Sequence, residues 1–131
     1  MKGDSTRLFT AAIPAVTLLL LLAFGKLAAD CSIGDIEVHQ GQSAPLPNGI
    51  PTYTVSVLNL CSGGCSLSNI HLSCGAFSSA RLVNPSVFRR LSINDCLLND
   101  GRPLAPGAVV SFQYANSFSY PLAISSATCV R

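Results

Sequence analysis

The residues of this chain that could do chemistry are few, and most of them are sulfur. Cys31, Cys61, Cys65, Cys74, Cys96 and Cys129 all follow an apolar leader, and none lies inside it. An even count behind an export signal reads as a disulfide framework formed in an oxidising compartment. Cys61-x3-Cys65 has a spacing that zinc could also use, but a second such pair is missing and export favours oxidation. An even count also leaves no thiolate for a Cys–His nucleophilic pair. His39 and His71 each sit beside inward-pointing apolar residues of an extended stretch. Either is a general base, a partner contact or a solvated strand residue. Asp35 and Glu37 share one face of a predicted strand and could form a glycosidase carboxylate pair, or simply an exposed acidic face. Asp95 and Asp100 flank Cys96 and a turn, and Asp100-Gly101 is turn chemistry. No serine lies in Gly-x-Ser-x-Gly, so the nucleophile elbow is missing. No enzyme, cofactor or metal is expected from this inventory.

Arg89-Arg90 is the one local charge run. It reads as a dibasic processing site, a contact for an acidic partner or a solvated face. Cleavage there would fall between cysteines and leave disulfide-linked halves. Neighbouring strand residues point to opposite faces, so an extended segment need expose only one of the two arginines.

The leader carries Lys2 and Arg7, then an apolar run from Ala11 to Phe24 broken only by Thr17, then Leu27-Ala28-Ala29. This is a signal peptide over residues 1–29, with cleavage expected after Ala29. The apolar run is ~14 residues, shorter than a membrane span, and contains Pro14. Residues 30–131 are then one secreted domain, with no membrane association after cleavage and no room for a propeptide before Cys31. Its charges are Arg81, Arg89, Arg90, Arg102 and Arg131 against Asp30, Asp35, Glu37, Asp95 and Asp100. They cancel, and no lysine remains. With no basic surface, nucleic acid is an unsuitable partner.

About 100 residues make one modest core. The elements around it read as strands. Ile33 to Gln40 is extended and ends at Gly41. Thr52 to Val57 alternates, with Tyr53, Val55 and Val57 on one face. Leu58 breaks that phase, which predicts a bulge or burial of both faces near Leu60. Ile70, Leu72 and Cys74 alternate with polar neighbours, as do Val110, Phe112 and Tyr114, and Phe118, Tyr120, Leu122 and Ile124. Turn signals at Gly63-Gly64, Asn84-Pro85, Asn99-Asp100-Gly101 and Pro106-Gly107 separate the runs. The best helical candidate is a short turn over Val87 to Leu91. The pattern predicts an all-β fold, a disulfide-stapled antiparallel sandwich or small barrel. Six cysteines allow fifteen pairings. If the first two strands form a hairpin, Cys31 lies at the same end as Cys61 and Cys65.

The blocks between the cysteines carry a resemblance. Cys31-x3-Asp35-Ile36-x-Val38-x-Gln40-Gly41 opens the pattern, and Pro51-x-Tyr53-Thr54-Val55-x-Val57-x-Asn59-x-Cys61-x3-Cys65 follows. Next come Ile70-His71-Leu72-x-Cys74-Gly75, Phe77-Ser78-Ser79, Asn84-Pro85 and Phe88-Arg89-Arg90-Leu91. Asp95-Cys96-Leu97-x-Asn99-x-Gly101-x-Pro103-Leu104, Ser111-Phe112-x-Tyr114-Ala115-Asn116 and Tyr120-Pro121-Leu122 complete it. Over this whole stretch the chain resembles the tapetum determinant family of small secreted cysteine-rich plant proteins.

The resemblance implies an extracellular ligand of a leucine-rich-repeat receptor kinase. It further implies a role in specifying tapetal cell fate and limiting sporogenous cell number in anthers, and in some members ovules. The family usually has Trp after the Cys-Gly, where this chain has Ala76. That Trp either packs a core, which Ala76 would leave with a cavity, or anchors a partner. Arg89, Arg90 and Asn116 are the expected receptor contacts. The other function class is a carbohydrate-binding or wall-associated β-sandwich module. Such a module stacks sugars on exposed aromatics, whereas Phe112, Tyr114, Phe118 and Tyr120 fall on inward phases.

Overall fold

A computed structural model describes residues 31–131. The signal peptide expected over residues 1–29, and Asp30, lie outside the described residues. Seven strands follow in order: β1 (Ile36–Ser43), β2 (Thr52–Asn59), β3 (Ser66–Ser73), β4 (Phe88–Ser92), β5 (Asp95–Leu98), β6 (Val109–Ala115) and β7 (Ala123–Val130). They form two antiparallel sheets, one ordered β1-β2-β6 and the other β4-β5-β3-β7. The fold is therefore the all-β, disulfide-stapled sandwich that alternation predicts, and the two sheets do not close into a barrel.

β1 does not begin at Ile33. Ile33–Asp35 is a single 3-10 turn closed by a capping box. The Asp35 carboxylate accepts from Ser32 N–H at 2.9 Å, and Ser32 Oγ accepts from Gly34 N–H at 3.3 Å. β1 then pairs with β2 without a break, from Ile36 opposite Asn59 to Ser43 opposite Thr52. β2 needs no bulge at Leu58. Its phase runs on through Val55 and Val57 to Asn59, all fully buried, while Leu60 is about half exposed. The inward position that looks polar in sequence is filled by an amide with three partners. Asn59 Nδ2 donates to the carbonyls of Leu104 at 2.8 Å and Cys65 at 3.2 Å, and its Oδ1 accepts from Cys61 N–H at 2.8 Å. A buried amide is tolerated only when satisfied in this way.

Two stretches depart from expectation. Val87 to Leu91 is not a helical turn. Asn84 closes a tight turn, with its carbonyl accepting from Val87 N–H at 2.9 Å, and the chain then extends as β4. Phe118 to Ile124 is not one strand either. β7 begins only at Ala123, and the preceding loop leaves Phe118 62% exposed while Tyr120 is buried.

The core lies between the sheets. Val55, Val57, Phe112 and Tyr114 face Leu67, Ile70, Leu72, Phe88 and Leu98. Phe88 stacks on Phe112 across the sandwich at 4.3 Å between ring centroids, and Phe77 meets Phe88 and Tyr114 edge-on at 5.0 and 5.2 Å. Such pairs add ~0.5–1.5 kcal/mol each beyond burial.

The disulfides are Cys31–Cys61, Cys65–Cys129 and Cys74–Cys96, and no described cysteine is free. The β1–β2 hairpin brings Cys31 to Cys61. Cys65–Cys129 ties the start of β3 to the end of β7, and Cys74–Cys96 joins the end of β3 to β5. Cβ positions on paired or adjacent strands fall within bonding reach, as the Cα separations of 5.4 to 6.1 Å show.

Candidate functional site

The residues with chemical potential are dispersed, and most are committed to neighbours. The sulfurs of Cys31, Cys61 and Cys65 lie within 4.8 Å of one another. All three are in disulfides, so none offers the thiolate that zinc requires.

Asp35 and Glu37 do not form a pair. Asp35 caps the 3-10 turn, and Glu37 Oε1 meets His39 Nε2 at 2.8 Å on the open face of β1. His71 points out of the core as its phase predicts. Its Nδ1 is 2.7 Å from the Asp95 carboxylate on the adjacent strand. A His–Asp pair orients an imidazole, but acyl chemistry also needs a nucleophile on the other ring nitrogen. Among the described residues no side chain is hydrogen-bonded there.

Arg89 and Arg90 separate as opposite strand faces require. Arg89 Nη1 donates to Asp100 at 2.6 Å and to the Pro85 carbonyl at 3.1 Å. It therefore ties β4 to the turn after β5, where Asp100 holds a positive φ of 56°. Arg90 lies in the phase of buried Phe88, yet it is exposed and has no ion-pair partner among the described residues. Of the two it presents a free cation. Opposite it stands Cys96, half of the Cys74–Cys96 bridge, so a cut after Arg90 would leave the pieces covalently joined.

Asn116 is part of a loop network. Its Nδ2 donates to Tyr120 Oη at 2.8 Å and to the Ser78 carbonyl at 3.1 Å, and its Oδ1 accepts from Ser117 N–H at 2.6 Å. Asn116 follows β6 in one sheet and Arg90 lies on β4 in the other, so these expected contacts do not share a sheet. Ala76 is exposed in the turn after Gly75, where φ is 57°. Because Ala76 is exposed, a larger side chain there would project outward.

Among the described residues no aromatic sugar platform is assembled. Phe118 is exposed, but its ring is tilted 56° from that of Tyr120. Two features carry no strong sequence signal. The first is the bond chain of Gln40, Tyr114 and Tyr120, in which Tyr114 Oη donates to Gln40 Oε1 and accepts from Tyr120 N–H at 2.9 Å. The second is a cleft of about 230 Å³ between Arg81–Asn84 with Val87 and the β6 residues Ser111–Gln113. Only the exposed Arg81-Leu82 beside Asn84-Pro85 hints at it in sequence. Among the described residues no helix is long and apolar enough to cross a membrane.

Residues 32–130 match the family described as Tapetum determinant 1, C-terminal. TPD1 protein homolog 1 of Arabidopsis thaliana is 58% identical over 104 residues, covering 79% of this chain and 58% of that protein. TPD1 protein homolog 1A of Oryza sativa subsp. japonica is 57% identical over 102 residues, 73% of this chain and 45% of its own. The rice homolog 1B is 48% identical over 99 residues, 76% and 58% respectively. The chain thus spans about half the length of these curated relatives. No solved structure matches.

Proposed function

The chain belongs to the tapetum determinant 1 family, and on that premise we propose that it is a secreted protein ligand of a leucine-rich-repeat receptor kinase. In this reading the signal peptide over residues 1–29 is removed and residues 30–131 act in the apoplast. There they specify tapetal cell fate and limit sporogenous cell number in the anther.

The observation that carries the reading is the family match across the whole disulfide-stapled domain. Physical features support it. A small domain closed by three disulfides loses little conformational entropy on binding. The concave face of a repeat solenoid suits such a rigid ligand. Arg90 is our first choice of contact, because it is exposed and unpaired where Arg89 and Asn116 are partly engaged within the chain.

The test is binding of the purified mature chain to receptor ectodomains and, in parallel, to wall polysaccharides. Saturable ectodomain binding is expected. Arg90→Ala should weaken it about tenfold if the arginine anchors the interface. Polysaccharide binding without ectodomain binding would favour the wall-module reading and overturn this one.

A further inference from the structure

β6 is the outer strand of its sheet, and its backbone shows which groups face outward. Asn116 N–H donates to the Pro51 carbonyl and Asn59 N–H to the Ala108 carbonyl. These even-numbered positions of the β6 segment therefore face β2. Antiparallel alternation then turns the amides and carbonyls of Val109, Ser111, Gln113 and Ala115 away from it. Ala115 is already covered. Its carbonyl accepts from Ala80 N–H at 2.8 Å, and its N–H donates to Ser79 Oγ at 2.9 Å. Val109, Ser111 and Gln113 have no such backbone partner among the described residues. The segment that begins to cover the edge diverges after Ala80, and the cleft of about 230 Å³ opens where it does.

We propose that this open edge and the cleft beside it dock an extended acidic and apolar segment of a partner protein, added to the sheet as a further strand. The backbone of Val109, Ser111 and Gln113 supplies donors and acceptors at strand spacing, as strand addition requires. Leu82, Val83 and Val87 line the opposite wall and receive an apolar side chain. Leu82 is 90% exposed with nothing over it.

Charge selects the occupant. Arg81 is the single charged side chain of the lining, and no described acidic group pairs with it. An acidic residue in the incoming strand completes it. Pairing of β6 with β6 of a second copy would not, because Val109–Ala115 contains no acidic residue. The edge is held ready, since Ser111 Oγ is bonded to Ser56 Oγ and Gln113 Nε2 to Thr54 Oγ1, both at 3.0 Å. The docking mode does not depend on the partner being a receptor kinase.

The test uses the isotopically labelled secreted chain and a blocked heptapeptide of alternating Val and Thr with one central Glu. Slowed amide exchange at Ser111 and Gln113 on addition of peptide is expected. N-methylation of alternate peptide residues should weaken binding roughly tenfold or more, since it deletes the ladder donors. Arg81→Glu lies on an exposed loop and should invert the preference between this peptide and its Lys counterpart. Four outcomes overturn the proposal. They are no saturable binding up to roughly millimolar peptide, protection elsewhere on the protein, indifference to N-methylation, and protection of the same amides that rises with protein concentration alone. The last would assign the edge to a second copy. A chain that passes this test but binds no receptor ectodomain would keep the edge site and lose the receptor reading.

Discussion

Tyr114 shows how much one side chain depends on its surroundings. Its ring is fully buried, and its hydroxyl bridges Gln40 and the backbone of Tyr120. Burial holds its pKa above the ordinary phenol value, partly offset by the N–H of Tyr120. The folded state therefore keeps a proton that the unfolded chain releases from about pH 10 upward. Stability from this group is complete below that pH and is lost as pH rises towards the folded pKa, by up to ~1.4 kcal/mol per unit. Unfolding midpoints measured from pH 8 to pH 11 should fall at the alkaline end, and Tyr114→Phe should flatten that fall while lowering the whole curve. An identical slope in the variant would exclude Tyr114 as the source. Alternation in the sequence places Tyr114 inward. It is blind to Gln40, which lies 74 residues away along the chain.

At the scale of elements, the β4–β5 hairpin is where sequence reading fails. Its strands are five and four residues long, too short for period two to declare itself. Its turn at Ile93-Asn94 lacks glycine, because Asn94 takes the positive φ of 64° instead. The side chain then does a second job. Asn94 Oδ1 accepts from the N–H groups of Cys74 at 3.1 Å and Gly75 at 3.0 Å, which fastens the hairpin to the end of β3. Asn94→Ala loses both bonds and strains the backbone, and should cost about 2–3 kcal/mol in urea unfolding. Asn94→Gly keeps the backbone free and should cost about half of that. Equal losses would mean that the turn geometry is irrelevant. β2 gives the opposite lesson. Its alternation is long enough to be legible, and it carries through Asn59 although that residue is polar.

Over the whole molecule, the covalent links decide how much the small core must supply. The bridge between Cys65 and Cys129 spans 64 residues, against 22 for Cys74 and Cys96. Chain-entropy reasoning makes the longer loop worth ~4 kcal/mol and the shorter ~3 kcal/mol. Each is a large share of a domain stability of roughly 5–15 kcal/mol. Replacing both Cys65 and Cys129 by serine should therefore lower the unfolding midpoint more than replacing Cys74 and Cys96. Full reduction should lower it furthest. A reductant that leaves the midpoint unchanged would show that the sheets hold without their bridges.

The sequence by itself determined that the chain builds strands, which faces of the longer ones turn inward, and which family its cysteine-bounded blocks resemble. These are local properties, because a side chain's face follows from its neighbours two residues away. Tertiary structure alone decided which cysteine meets which, how seven strands divide into two sheets, and that Arg89 is tied to Asp100 while Arg90 stays free. It also decided that, among the described residues, the outer edge of β6 is covered only at one end. Each of these outcomes depends on parts of the chain far apart in sequence, which period-two patterning cannot bring together.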